Sequence, residues 1–333
     1  MGPPTIRDVA REAGVGVGTV SRVLGDQPRV APATREKVEA AIARLGYRPN
    51  AAAQALSRQR TDTLEVAVPL VTRDFYVEVL RGIEIALEAS RYSLLIRTIE
   101  RAADRARVLD ALAAPGRADG VIIVSQAPTP ALARRLSEEH MPAVLIDTVH
   151  PGIPSIAVDH ESAAAQAVHH LIRLGHQRIG YVDHAATPFA QGSPAGRRQG
   201  YRSALAAARL SVQPADEITT EFSMAGGEAA VAALFAQSVP PTAVFVGSDT
   251  QAAGVLAAAR RMGLRVPDDL AVIGYNDIDL ARYLDLTTVR VPMREMGRRG
   301  VGMLMTAMEA PGATPASVLL LQAELVVRGS SGG

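Results

Sequence analysis

Thr19, Ser21 and Arg22 put two hydroxyls and a guanidinium into the run "VGTVSRVL", which is otherwise Val, Gly and Leu. Hydroxyls suit phosphate oxygens, and a guanidinium can pair with guanine O6 and N7 through two parallel hydrogen bonds. An ordinary solvated helix face carries the same residue types, so spacing alone leaves both readings open. Signals for catalysis are weaker. The chain has no Gly-x-Ser-x-Gly elbow, P-loop or His-Glu-x-x-His. Gly pairs such as that in "GGEAA" are poor phosphate signals, and Asp268-Asp269 lies in "VPDDL", a turn before a strand. Cysteine is absent, which removes disulfides, thiolate nucleophiles and cysteine metal sites. His169, His170 and His176 do not share a helical face around Gly175, so neither a metal site nor any other cofactor is expected.

The elements that position the polar triplet are short helices. Thr5 and Asp8 have the spacing of a capping box, and Ile6, Val9, Ala10 and Ala13 then fall on one helical face. Gly14 suits the left-handed residue after a helix, Val15 plugs the turn, and Val20, Val23 and Leu24 form a second apolar stripe. Two such helices joined by a Gly-containing turn make a helix-turn-helix. A third helix starts near Pro32 and stops at Gly46, with Val38, Ala41, Ile42 and Leu45 inward. In "YRPNAAAQALSRQR", Pro49 breaks the chain, Asn50 can cap a further short helix, and Arg58 and Arg60 suit phosphates. A helix that short orders only against a partner, DNA or a second copy; a plain linker is the alternative.

Charge separates this head from the rest. Residues 1–60 hold ten Arg/Lys against five Asp/Glu, and residues 61–333 hold twenty-five against twenty-nine. A basic head on a slightly acidic body implies a polyanion for the head. With 48% hydrophobic residues over 333, the body can bury a large core. No run of about 18 uncharged apolar residues occurs, and the N-terminus has no apolar signal core, so a cytoplasmic protein with no membrane partner is expected.

The body alternates apolar strand-like runs with amphipathic helical ones. "LEVAVPLV" precedes a helix over residues 76–90, "YSLLIRT" one over 102–113, and "SIAVD" leads into "HESAAAQAVHHLIRLG"; "GVIIVS", "PAVLID", "RIGYVD", "AVFVGSD" and "LAVIGYN" are further strands. This pattern predicts parallel sheets covered on both faces, in two doubly wound subdomains. Ligands then bind beyond the carboxyl ends of the strands, in the cleft between the sheets. Asp249 reads as a helix cap rather than a ligand contact.

"TIRDVAREAGVGVGTVSRVLG", "TREKVEAAIARLGYRPNAAAQAL" and "GSDTQAAGVLAAARRMGLRVPDDLAVIGYND" resemble the LacI/GalR family of bacterial transcription repressors, and the resemblance runs from Thr5 to about Arg328. It implies an N-terminal all-α helix-turn-helix domain (1–48), a hinge helix and linker (49–61), and an α/β periplasmic-binding-protein-like core (62–329). The core's first subdomain would span about 62–158 and 291–319, its second 159–290 and 320–329. Three crossovers would form a hinge. The resemblance sets Val17, Gly18 and Arg22 at base-reading positions and Thr19 and Ser21 at phosphates, adds Thr5, Asn50 and Ala53 to the DNA-contacting set, and makes Leu56 a minor-groove wedge. Gly16 and Ala31 replace the usual Ser, which weakens capping. The effector set it implies is Phe75, Tyr76, Ser125, Asp147, Arg197, Phe222, Ser248 and Asn276. Ser248 and Asn276 stand where many relatives have Asn and Asp, and "YLDLTTV" lacks the usual Pro-Pro. The resemblance further implies a non-enzymatic regulator: a homodimer or higher oligomer, partnered by double-stranded palindromic operator DNA and a sugar-like effector. A sugar-binding transport component and a doubly wound enzyme are the competing readings.

Overall fold

The computed structural model describes residues 4–25, 30–48, 60–114, 116–185, 192–309 and 317–332. The expectations for Asn50, Ala53 and Leu56 therefore lie outside the described residues. The chain divides into two compact units, broken between Asp62 and Thr63.

The small unit holds α1 (Ile6–Ala13), α2 (Val17–Leu24) and α3 (Pro32–Leu45). Each begins and ends where its local chemistry dictates. The Asp8 carboxylate accepts from the Thr5 backbone N–H at 3.0 Å and from the Thr5 hydroxyl at 2.7 Å, so the box at the start of α1 is formed. Gly14 and Gly46 end α1 and α3 in the left-handed region (φ 66° and 60°), where a Cβ is costly. Neither Gly16 nor Ala31 offers a side-chain cap. Val9, Ala10, Val20, Val23, Val38 and Ala41 form the core, with Val15 packed against it.

The large unit carries two parallel-rich sheets. The first comprises β1 (Thr63–Pro69), β2 (Ser93–Ile99), β3 (Gly120–Val124), β4 (Ala143–Ile146), β5 (Ser155–Val158) and a late strand, β11 (Val318–Leu321), in the order β2-β1-β3-β4-β5-β11. The second comprises β6 (Ile179–His184), β7 (Glu217–Thr220), β8 (Ala243–Val246), β9 (Ala271–Asn276), β10 (Thr287–Arg290) and β12 (Glu324–Val326), in the order β7-β6-β8-β9-β10-β12. Among the described strands only β12 is antiparallel, against β10. The central strands are continuously apolar and buried (β3, β4 and β8 throughout), because helices cover both faces.

Those helices are α4 (Asp74–Leu87), α5 (Arg105–Asp110), α6 (Pro130–Glu138), α7 (His160–Arg173), α8 (Gly192–Ala207), α9 (Met224–Phe235), α10 (Asp249–Arg261), α11 (Asp279–Tyr283) and α12 (Met293–Glu309). Two differ from the expected spans. α4 starts at Asp74, two residues earlier, because Arg73 is already extended and its carbonyl accepts from Tyr76 and Val77. The run 102–113 yields a 3₁₀ turn and then only six α-helical residues. The chain crosses between the sheets after β5, after β10 and between β11 and β12. Both sheets reverse strand order beside their first strand, between β1 and β3 and between β6 and β8, which are the topological switch points.

Candidate functional site

On the small unit, α2 turns Val17, Gly18, Ser21 and Arg22 to solvent, with Thr19 half-buried. Val17 is 42% exposed although apolar, as a residue able to meet a thymine methyl must be. The Arg22 guanidinium reaches back over Gly18, with Nη2 3.8 Å from where a Cβ on that glycine would stand. The Thr5 hydroxyl, by contrast, is held by Asp8.

On the large unit, a cavity of about 50 Å³ lies beyond the carboxyl ends of both sheets. Phe75, Tyr76, Asp147, Arg197, Phe222 and Asn276 line it together with Arg73, His160, His184, Ser193 and Gly247. Ser125 lies one bond behind, donating to Asp147 Oδ2 at 2.7 Å. Ser248 does not reach the lining. Its hydroxyl caps α10, accepting from the Gln251 N–H at 3.1 Å. Asn276 (φ 109°), Asp147 (φ 59°) and Ser125 (φ 51°) all hold left-handed backbone where their strands end, so strain collects around this cavity. A larger hollow of about 450 Å³ between α10 and the C-terminal segment has Leu256, Leu264, Val266 and Leu284 in its wall, away from any switch point.

Two networks fix the cavity's electrostatics. In the first, Asp147 of the first subdomain accepts from His160 Nε2 at 2.9 Å, and His160 Nδ1 meets the Tyr275 hydroxyl at 2.7 Å. A carboxylate only accepts, so Nε2 carries the proton that it donates to Asp147. Tyr76 bonds to Ser125 at the other end, and its phenol is raised by burial and by the Asp147 charge. This chain joins the two subdomains through one imidazole. In the second network, Arg197 grips Asp183 with two parallel bonds, Nε to Oδ2 at 2.9 Å and Nη2 to Oδ1 at 3.0 Å. Tyr181 donates to the same carboxylate at 2.5 Å. Burial pushes the Asp183 carboxyl up, but Arg197 and the hydrogen bonds outweigh it and hold it below its usual range. Gly247 makes room: a Cβ there would stand 2.3 Å from the carboxylate carbon.

Sequence reasoning missed Arg73, His160 and His184. The available signal was position, since each follows or ends a strand; nothing in their spacing marks them. Asp249 is not the cap of α10. It is the helix's first residue, buried, and its carboxylate accepts from the Ile278 N–H (2.9 Å) and the Thr288 hydroxyl (2.6 Å), tying down the loop after Asn276. Asp277 points away from the cavity and pairs with Arg290 and Arg328, both at 2.7 Å. Burial, first of all, raises the Asp249 carboxyl to about 7. A carboxyl raised in the folded state binds its proton more tightly there than in the unfolded chain, so its contribution to stability falls as pH climbs from about 4 through 7. Asp249→Asn keeps an acceptor for Ile278 and a donor for Thr288, and it should flatten that slope in urea melts taken from pH 5 to 8.

The comparisons with known proteins agree along nearly the whole chain. Residues 5–50 match bacterial regulatory proteins of the lacI family, and residues 168–331 match the periplasmic binding protein-like domain. Catabolite control protein A of Priestia megaterium is 36% identical over 297 residues, covering 88% of this chain and 89% of its own. The chain belongs to the lacI family. A second member, the transcriptional regulator GalS of Salmonella typhimurium, is 38% identical, with 88% and 87% covered. A third, the repressor CytR of Escherichia coli, is 33% identical, with 98% and 96% covered. Among solved structures, a Lac repressor dimer bound to operator and the anti-inducer ONPF has a TM-score of 0.86 at 29% identity, with 99% of each chain covered. A complex of the regulator CelR with cellobiose has a TM-score of 0.71 at 32% identity, with 98% and 100% covered. These relatives are transcriptional regulators, not enzymes. This member of the family therefore joins a helix-turn-helix DNA-binding domain to a periplasmic-binding-like core. Among the described residues no helix is long and apolar enough to cross a membrane, and no group of three or more His, Asp or Glu could hold a metal ion.

Proposed function

We propose that this lacI-family regulator is a repressor that grips a palindromic operator as a homodimer and answers to a sugar or sugar derivative in the core cleft. The observation that carries the reading is α2, whose exposed face holds Ser21 and an Arg22 with no hydrogen bond to any described residue, on a unit with an excess of basic residues. Exposed apolar side chains support the dimer. Ile85 and Ile96 are 57% and 41% exposed on α4 and β2, and Tyr283 on α11 is 83% exposed, apolar surface that a second copy would cover. The cavity at 50 Å³ holds only a handful of water molecules. A pyranose enters only if the two sheets part, so the ligand selects one angle between subdomains. That bias reaches DNA affinity with a coupling on the order of 1–3 kcal/mol.

Gel-shift titration against genomic fragments at two salt concentrations tests this. Salt-sensitive retention, lost when residues 1–60 are removed, is the expected result. Salt-insensitive or absent retention would leave the second reading, a sugar-binding protein with no transcriptional role. Within the retained complex, Arg22→Ala should cost about 1–3 kcal/mol of discrimination at one base pair of each half-site. Competition between operator variants reads that loss directly.

A further inference from the structure

Three charged side chains line the cavity, Arg73, Asp147 and Arg197, and their partners among the described residues can be enumerated. Arg197 and Asp183 neutralise each other with two parallel bonds. Both oxygens of Asp147 accept a hydrogen bond, one from Ser125 and one from His160. Arg73 is the exception. It lines the cavity from the turn between β1 and α4, yet it forms no hydrogen bond or ion pair with any described residue. Its guanidinium lies instead over the Phe222 ring, 4.2 Å from the centroid, reaching from the first subdomain to the second.

Partial burial without a partner disfavours the charged form, and desolvation lowers the Arg73 pKa accordingly. A ring face offsets only part of that cost. An anion would offset more, since guanidinium matches carboxylate and phosphate bidentately. The cavity is thus polarised. One end has Asp147, whose oxygens each keep a lone pair for a ligand hydroxyl beyond the bonds from Ser125 and His160; the other has Arg73 and His184 around Phe222.

We propose that the effector is a sugar derivative carrying an anionic group, read by Arg73, with its hydroxyls read from the Asp147 end. The inference rests on the cleft being the effector site, and the shared chemistry is a carboxylate or a phosphate on a polyol.

Isothermal titration of the full chain with matched series tests it: glucose, glucuronate and glucose 6-phosphate, then galactose, galacturonate and galactose 6-phosphate. The expected result is that an acidic member binds at least ten-fold tighter than its neutral parent, the margin shrinking with added salt. Preference for the uronate identifies a carboxylate, and preference for the 6-phosphate a phosphate. Arg73→Gln should bring the acidic-to-neutral ratio to about one, and Arg73→Lys should keep part of it. A wild-type ratio near one, with neutral sugar bound, overturns the inference and leaves the effector site standing. A ratio unchanged by Arg73→Gln overturns the assignment to Arg73. If no member of either series binds while operator binding persists, the sugar reading of the cleft fails and takes the inference with it.

Discussion

Asp183→Ala should lower the unfolding free energy by about 3–5 kcal/mol, because it leaves the Arg197 guanidinium buried and uncompensated. Arg197 is only 4% exposed, and among the described residues its Nε and Nη2 donate to Asp183 alone. The same substitution strips the acceptor from the buried Tyr181 hydroxyl. Arg197→Ala should cost a comparable amount for the mirror-image reason, while the double variant should cost much less than the sum. The interaction energy from urea denaturation of the four proteins reads this coupling. Additive costs would mean that water reaches the pair and that each ion is solvated alone. The distinction matters for function. A guanidinium held rigidly by two bonds is a fixed donor edge toward the cleft, and a ligand meets it without the entropy cost of ordering a free arginine.

How far the sequence discloses this arrangement depends on the range of each interaction. The helix-turn-helix is legible because every determinant is local: the Thr5–Asp8 box, Gly14, and the stripe of Val20 and Val23 sit within one or two turns of one another. The alternation of strands and helices is legible for the same reason, since burial on both faces makes β3 and β8 continuously apolar. Six of the eight expected effector residues meet at the cavity because strand ends are fixed once the strands are. Partner choice is not local. Arg197 reads as a free ligand-gripping arginine until the fold sets Asp183 beside it, and Asp249 reads as a cap until β10 places Thr288 against its carboxylate. His160 looks like the unremarkable first residue of a helix. Its role as the bridge between Asp147 and Tyr275 exists only after the chain has crossed from one sheet to the other.

The second large effect concerns α12, which returns from the second subdomain to pack on α4 in the first. Gly82 on α4 and Gly297 on α12 face each other across the crossing. A Cβ on Gly297 would stand 2.1 Å from the Val79 carbonyl oxygen, and one on Gly82 would stand 2.0 Å from the Arg294 carbonyl oxygen. Neither neighbour is a flexible side-chain end, so the helices must separate to admit a methyl group. Overpacking of this kind costs about 1–3 kcal/mol, and backbone on both sides puts Gly297→Ala at the top of that range. Gly302 provides the opposite case on the same helix. It is exposed, and a Cβ there meets nothing within 4 Å. Gly302→Ala should therefore stabilise by about 0.5–1 kcal/mol through the ordinary helical preference for alanine. Denaturant midpoints of the two variants should move in opposite directions. If both moved up, α4 and α12 would have slack between them, and the first subdomain would not be the rigid half against which ligand sets the angle of the second.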